Sequence, residues 1–112
     1  MSWYLTIRAD QNYSRCTPIA PLVEFLTKVP GLRQTSHDLF VSTDDAPWVA
    51  ITLAACDEDG NFACDGSVVS DVNCIEMVCS EYGNAEWYDL LATRIAEFLH
   101  WAAFEDQQDR QL

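Results

Sequence analysis

The sequence predicts a single two-layer α+β domain over residues 1–112, with four mostly antiparallel strands and two helices packed on one face of their sheet. Three observations carry this. Several segments place apolar residues at every second position, the period of a half-buried strand. Two others repeat them at helical spacing behind capping residues. At 112 residues, with 49% hydrophobic residues and no internal repeat or linker, the chain has the length and apolar content of one domain with a core of its own.

In chain order the elements read β-α-β-β-β-α. In the opening MSWYLTIRAD, Trp3, Leu5, Ile7 and Ala9 alternate with Tyr4, Thr6 and Arg8, which gives a strand over residues 2–9. Thr17 stands before Pro18 as an N-cap followed by proline at the first helical position. Leu22, Phe25, Leu26 and Val29 supply the apolar stripe of a helix over 18–29, which Pro30-Gly31 stops. A short strand over Leu39–Thr43 and a longer one over Trp48–Cys56 follow, joined by TDDAP. The fourth strand spans Val72–Ser80. Asn84 then caps a helix with Leu91, Ile95, Phe98, Leu99 and Ala102 on its apolar stripe, ending near His100, and DQQDRQL reads as a frayed tail.

Two helices cover one face of such a sheet. Trp3, Leu5, Ile7, Val49, Ile51, Leu53, Ile75, Met77 and Cys79 form the core-facing set. Tyr4, Thr6, Arg8, Trp48, Thr52, Glu76 and Val78 point the other way, on a face left as a contact surface or covered by a loop or the tail.

Charge narrows the partners. The net charge is −12, and the interval between Arg33 and Arg94 holds twelve acids and no Lys or Arg. Such a chain is repelled by phosphate backbones and anionic lipid, which disfavours direct nucleic-acid or membrane binding. No apolar run reaches the ~18 residues of a membrane span, and the N-terminus reads as a strand, not a signal peptide. Five cysteines without a C-x-x-C pair point to reduced, mostly buried thiols and a cytoplasmic location.

The stretch CDEDGNFACDG raises the question of calcium. Asp57, Asp59 and Asn61 match the first three EF-hand ligand positions, but Phe62 and Val68 stand where the pattern needs Gly and Glu. The segment from Asp57 to Asp71 is read as an irregular acidic hairpin tip, without a cofactor or dedicated metal site. Catalytic constellations are poor. Ser36-His37-Asp38 has triad letters, but consecutive side chains diverge and form no relay. The two histidines, His37 and His100, are too few and too scattered for a zinc site.

What remains is non-catalytic binding of a basic protein, for which the residues are Asp57, Glu58, Asp59, Asp65, Asp71, Glu76, Trp48 and Tyr4. Complementary fields speed such an encounter, and buried aromatics anchor it. Size, acidity and the segments MSWYLTIRAD, VNCIEMVCS and EWYDLLATRIAEFLHW make the chain resemble the small immunity proteins of bacterial polymorphic-toxin and contact-dependent inhibition systems. The resemblance implies binding and neutralisation of a cognate, nuclease-like toxin domain, and carries over no site by position. The other readings are a structural or regulatory domain, including a homodimer through the open sheet face, and an acidic mimic of nucleic acid.

Overall fold

The computed structural model describes residues 2–10, 12–56, 70–105 and 110–111. Strand β1 (Ser2–Arg8) lies between β7 (Cys74–Ser80) and β8 (Ala102–Glu105). Beyond β7 come β5 (Val49–Ala54), β4 (Leu39–Ser42) and the edge strand β3 (Leu32–Ser36); beyond β8 comes β9 (Arg110–Gln111). Every pairing is antiparallel. A separate ribbon joins β2 (Thr17–Pro18) to β6 (Asp71–Val72), with Thr17 opposite Val72. Helices α1 (Ile19–Thr27) and α2 (Ala85–Leu99) complete the α+β fold.

The period-2 pattern places the core as expected. Leu5, Ile7, Val49, Ile51, Leu53, Ile75, Met77 and Cys79 are fully buried, in one cluster with Leu22 and Leu26 of α1 and Tyr88, Leu91 and Ile95 of α2. Both helices therefore pack on that face. Trp3 is half-buried at the margin, its indole N–H donating to the Ser80 carbonyl and its ring edge-on to Tyr88. Tyr88 ties α2 to the sheet: its hydroxyl donates to the Trp48 carbonyl and accepts the Ser80 N–H.

The four-stranded sheet is a correction, because among the described residues the main sheet has seven strands. Strand β3 has one buried residue followed by four exposed ones, so it lacks the alternation that marks a strand. The expected strand over Val72–Ser80 is broken at Asn73 into β6 and β7. Thr17 does not cap α1, because it is paired in β2. Pro18 holds the N-cap position, and the Ile19 N–H donates to the Ser70 carbonyl at 2.9 Å. Asn84 does cap α2, its side chain accepting the N–H groups of Glu86 and Trp87 at 3.0 and 3.3 Å.

Helix α2 ends at Leu99, and Ala102 belongs to β8 rather than to the helical stripe. His100 takes the left-handed conformation (φ 58°), its N–H bonds to Glu97, and the Trp101 N–H reaches back to Ala96 at 2.9 Å. This is the Schellman closure usually built on glycine. The chain then returns along β1, and Arg110–Gln111 pairs with β8, so the described part of the tail is a strand and not frayed. Phe98 leaves the core stripe as well: it is exposed and stacks on Phe25 with 4.3 Å between ring centroids.

Candidate functional site

The face turned away from the helices is built in rows by the strand register. One row runs Arg33, Val41, Ala50, Val78 and Tyr4; the next runs Leu39, Thr52, Glu76, Thr6 and Phe104. Tyr4 and Glu76 share this face, as the sequence predicts, and the register makes them diagonal neighbours. Tyr4 is 39% exposed, and Trp48, immediately before β5, is 52% exposed. Tyr4 and Trp48 form no ring contact with each other among the described residues.

One end of this face is closed by the chain itself. The Asp10 carboxylate accepts a hydrogen bond from the Ser14 hydroxyl and from the N–H groups of Asn12 and Ser14, a compact Asx-type turn. The Ser14 hydroxyl, first among these donors, holds the exposed Asp10 carboxyl below the usual carboxylate range. Tyr13 adopts a left-handed φ of 55° and is carried over Arg8, whose guanidinium donates to the Tyr13 hydroxyl at 3.0 Å. That guanidinium sits 5.1 Å from the Tyr13 ring centroid and 5.0 Å from that of Phe104. Arg8 is thereby engaged in cation–π contacts, and Thr6 beside it on the open side of the sheet is buried. Here the expectation of a uniformly uncovered face is corrected.

Beneath this turn Asn73 forms a clamp. Its Nδ2 donates to the carbonyls of Tyr13 (3.0 Å) and Cys56 (2.8 Å), and its Oδ1 accepts the Cys56 N–H at 2.7 Å. One buried side chain thus joins the Asp10–Ser14 turn, the end of β5 and the start of β7. Cys74, next in sequence and also buried, is in hydrogen-bond contact with the half-exposed Cys56 thiol. Burial first, then the Cys56 thiol, pushes the Cys74 pKa far up, so Cys74 stays protonated.

The predicted binding residues do not form one constellation. Asp57, Glu58, Asp59 and Asp65 lie outside the described residues, as does most of the calcium-like stretch. Asp71 is exposed but belongs to the β2–β6 ribbon, apart from the Tyr4–Glu76 surface. Among the described residues no group of His, Cys, Asp or Glu is arranged to hold a metal ion. At the β3–β4 turn the Ser36 hydroxyl donates to Asp38, while His37 Nε2 stands 3.9 Å from the other Asp38 oxygen. Serine is bonded to the acid and not to the imidazole, so no activated nucleophile results.

A concavity of about 320 Å³ opens beside the helices, lined by Val29, Pro30, Trp87, Leu90, Leu91 and Arg94. Sequence reasoning missed it, along with Tyr13, Asn73 and the Cys56–Cys74 contact. The signal for the last two was a polar Asn breaking the otherwise regular VNCIEMVC run. No helix among the described residues is long and apolar enough to cross a membrane. No protein-family model, curated protein or solved structure matches the chain.

Proposed function

We propose that this chain is a non-catalytic protein-binding domain that captures a basic partner, and that the partner is a toxin domain of the nuclease type. The observation that carries the reading is the open sheet face. It presents Tyr4, Val78, Val41 and Leu39 without a helix over them among the described residues, on a chain of net charge −12. An apolar and aromatic patch on so acidic a chain fits the anatomy of an electrostatically steered interface. The resemblance to immunity proteins points to the same class of partner, and the reading needs neither a cofactor nor a metal.

The test begins by co-expressing the chain with the product of its neighbouring gene. Protection from growth arrest is the expected result, and unrelieved arrest with both proteins present removes the toxin reading. With a partner in hand, the triple variant D57N/E58Q/D59N should associate more slowly at low salt. The difference should close as the screening length falls below ~10 Å. Tyr4→Ala should mainly speed dissociation.

A second reading, association of two copies through the sheet, has one observation of its own. Strand β3 is an edge strand with Arg33–Ser36 exposed, and an uncovered edge is a template for strand addition. A concentration-dependent dimer lost on Thr35→Pro would support it.

A further inference from the structure

Two cysteines, Cys56 just past the end of β5 and Cys74 at the start of β7, are in hydrogen-bond contact, and neither is in a disulfide. Register and clamp hold them there. Ala54 is opposite Cys74, so Cys56 leaves β5 two residues beyond that pair. The Asn73 side chain then grips the Cys56 backbone on both its N–H and its carbonyl. The two thiols differ in access: Cys56 is half-exposed, Cys74 only 2% exposed. Among the other described thiols, Cys79 is fully buried within the helix-covered core and Cys16 is exposed ahead of the β2–β6 ribbon.

We infer that Cys56 and Cys74 form a peroxide-sensitive thiol pair that closes into an intramolecular disulfide. Cys56, the thiol within reach of solvent, attacks one oxygen of hydrogen peroxide. The O–O bond breaks, Cys56 becomes a sulfenic acid, and the second oxygen leaves as water after taking the Cys56 proton. The Cys74 sulfur then attacks the Cys56 sulfur. The S–S bond forms as the S–O bond breaks, and the departing hydroxide takes the Cys74 proton as a second water. Two thiols are oxidised and one peroxide is reduced to two waters. The clamp keeps the two sulfurs in contact, from which they close to the ~2.05 Å of a disulfide. The pair is independent of the partner-binding reading, because it requires only the fold of the β5–β7 junction.

The experiment uses the intact chain, treated with hydrogen peroxide and then unfolded in a thiol-blocking reagent. Titration should fall from five thiols to three, and peptide mapping should find Cys56 joined to Cys74 in a species that a dithiol reductant reverses. In Cys74→Ala the resolving thiol is gone, so a sulfenic acid should accumulate on Cys56 and be trapped by dimedone. Five remaining thiols after treatment would overturn the inference. So would a bridge from Cys56 to Cys64 or Cys16, or cross-linking only between molecules. If Cys74→Ala does not fold, the mapping of the unaltered chain decides the question alone.

Discussion

Replacing Asn73 isolates what its clamp contributes, because one side chain satisfies three backbone groups from two distant segments. In Asn73→Ala the Cys56 N–H and the carbonyls of Cys56 and Tyr13 lose their partner. A net ~0.5–1.5 kcal/mol per bond sums to about 1.5–4.5 kcal/mol over the three bonds, with the upper end applying where the groups stay shielded from water. Asn73→Asp has the same shape but the opposite chemistry at one end. Its carboxylate still accepts the Cys56 N–H, yet two carbonyl oxygens now face a negative oxygen instead of an amide donor. The Asp variant should therefore be at least as destabilised as Ala at pH 7, and should recover part of the loss as acid protonates the carboxyl into a donor. Urea unfolding at pH 7 and pH 4.5, with hydrogen exchange at Cys56, reads all three quantities. A cost under about 0.5 kcal/mol for Ala, or an Asp variant as stable as the parent, would show that water replaces the clamp and that it organises nothing.

Four further outcomes follow from the packing and the titrating groups. A Cβ at Gly83 would overlap the Tyr88 hydroxyl. Gly83→Ala should therefore push Tyr88 off Trp48 and Ser80, at roughly 1–3 kcal/mol by thermal or urea unfolding, and an unchanged midpoint would mean that Tyr88 is not seated there. Trp3→Ala should cost about 2–3 kcal/mol, below the ~3–5 kcal/mol for emptying a fully buried aromatic site, because Trp3 is half-buried. Burial, with Asp89 and Glu105 adding to it, pushes the Cys79 thiol up to about 12, and burial also raises Cys74. Folded thiols that titrate above the unfolded value of about 8.5 leave stability intact below that pH and erode it above, by about 1.4 kcal/mol per pH unit for each thiol. Cys79→Ala should flatten this alkaline slope, and a parent protein equally stable at pH 8 and pH 10.5 would contradict the burial. Asp10→Asn should free the turn that carries Tyr13 onto Arg8, seen as faster hydrogen exchange at Asn12 and Ser14 with little change in global stability.

The central strands were legible because burial on one face writes itself into alternation: Leu5 and Ile7, Val49 to Leu53, and Ile75 to Cys79 all occupy the side that the pattern assigns. Helix α2 was legible at its start for a local reason, since Asn84 bonds to N–H groups two and three residues away. Its end was not. A histidine in the left-handed conformation does the work normally signalled by glycine, and without that signal Ala102 extends the helical spacing by coincidence. Strands β3 and β9 are sheet edges, and β3 has only its first residue buried, so its partner strand defines it more than its own sequence does.

The site was harder to read than the core because its contacts are long in sequence and made by polar atoms. Asn73 reaches Tyr13 across 60 positions and Cys56 across 17, and nothing in a hydropathy pattern relates those residues. What a linear reading can register is the exception: an asparagine inside an apolar strand has to satisfy both ends of its amide or weaken the strand. Here it does so by binding backbone, which also explains why β6 and β7 are separate elements. The same geometry gives the cysteines unequal chemistry. Composition treats Cys56 and Cys74 alike, but the clamp leaves one at the surface and the other sealed against it. That asymmetry, one thiol accessible and a second in contact behind it, is the arrangement the proposed disulfide uses; burial of Cys74 slows its attack, because the thiolate is the nucleophile.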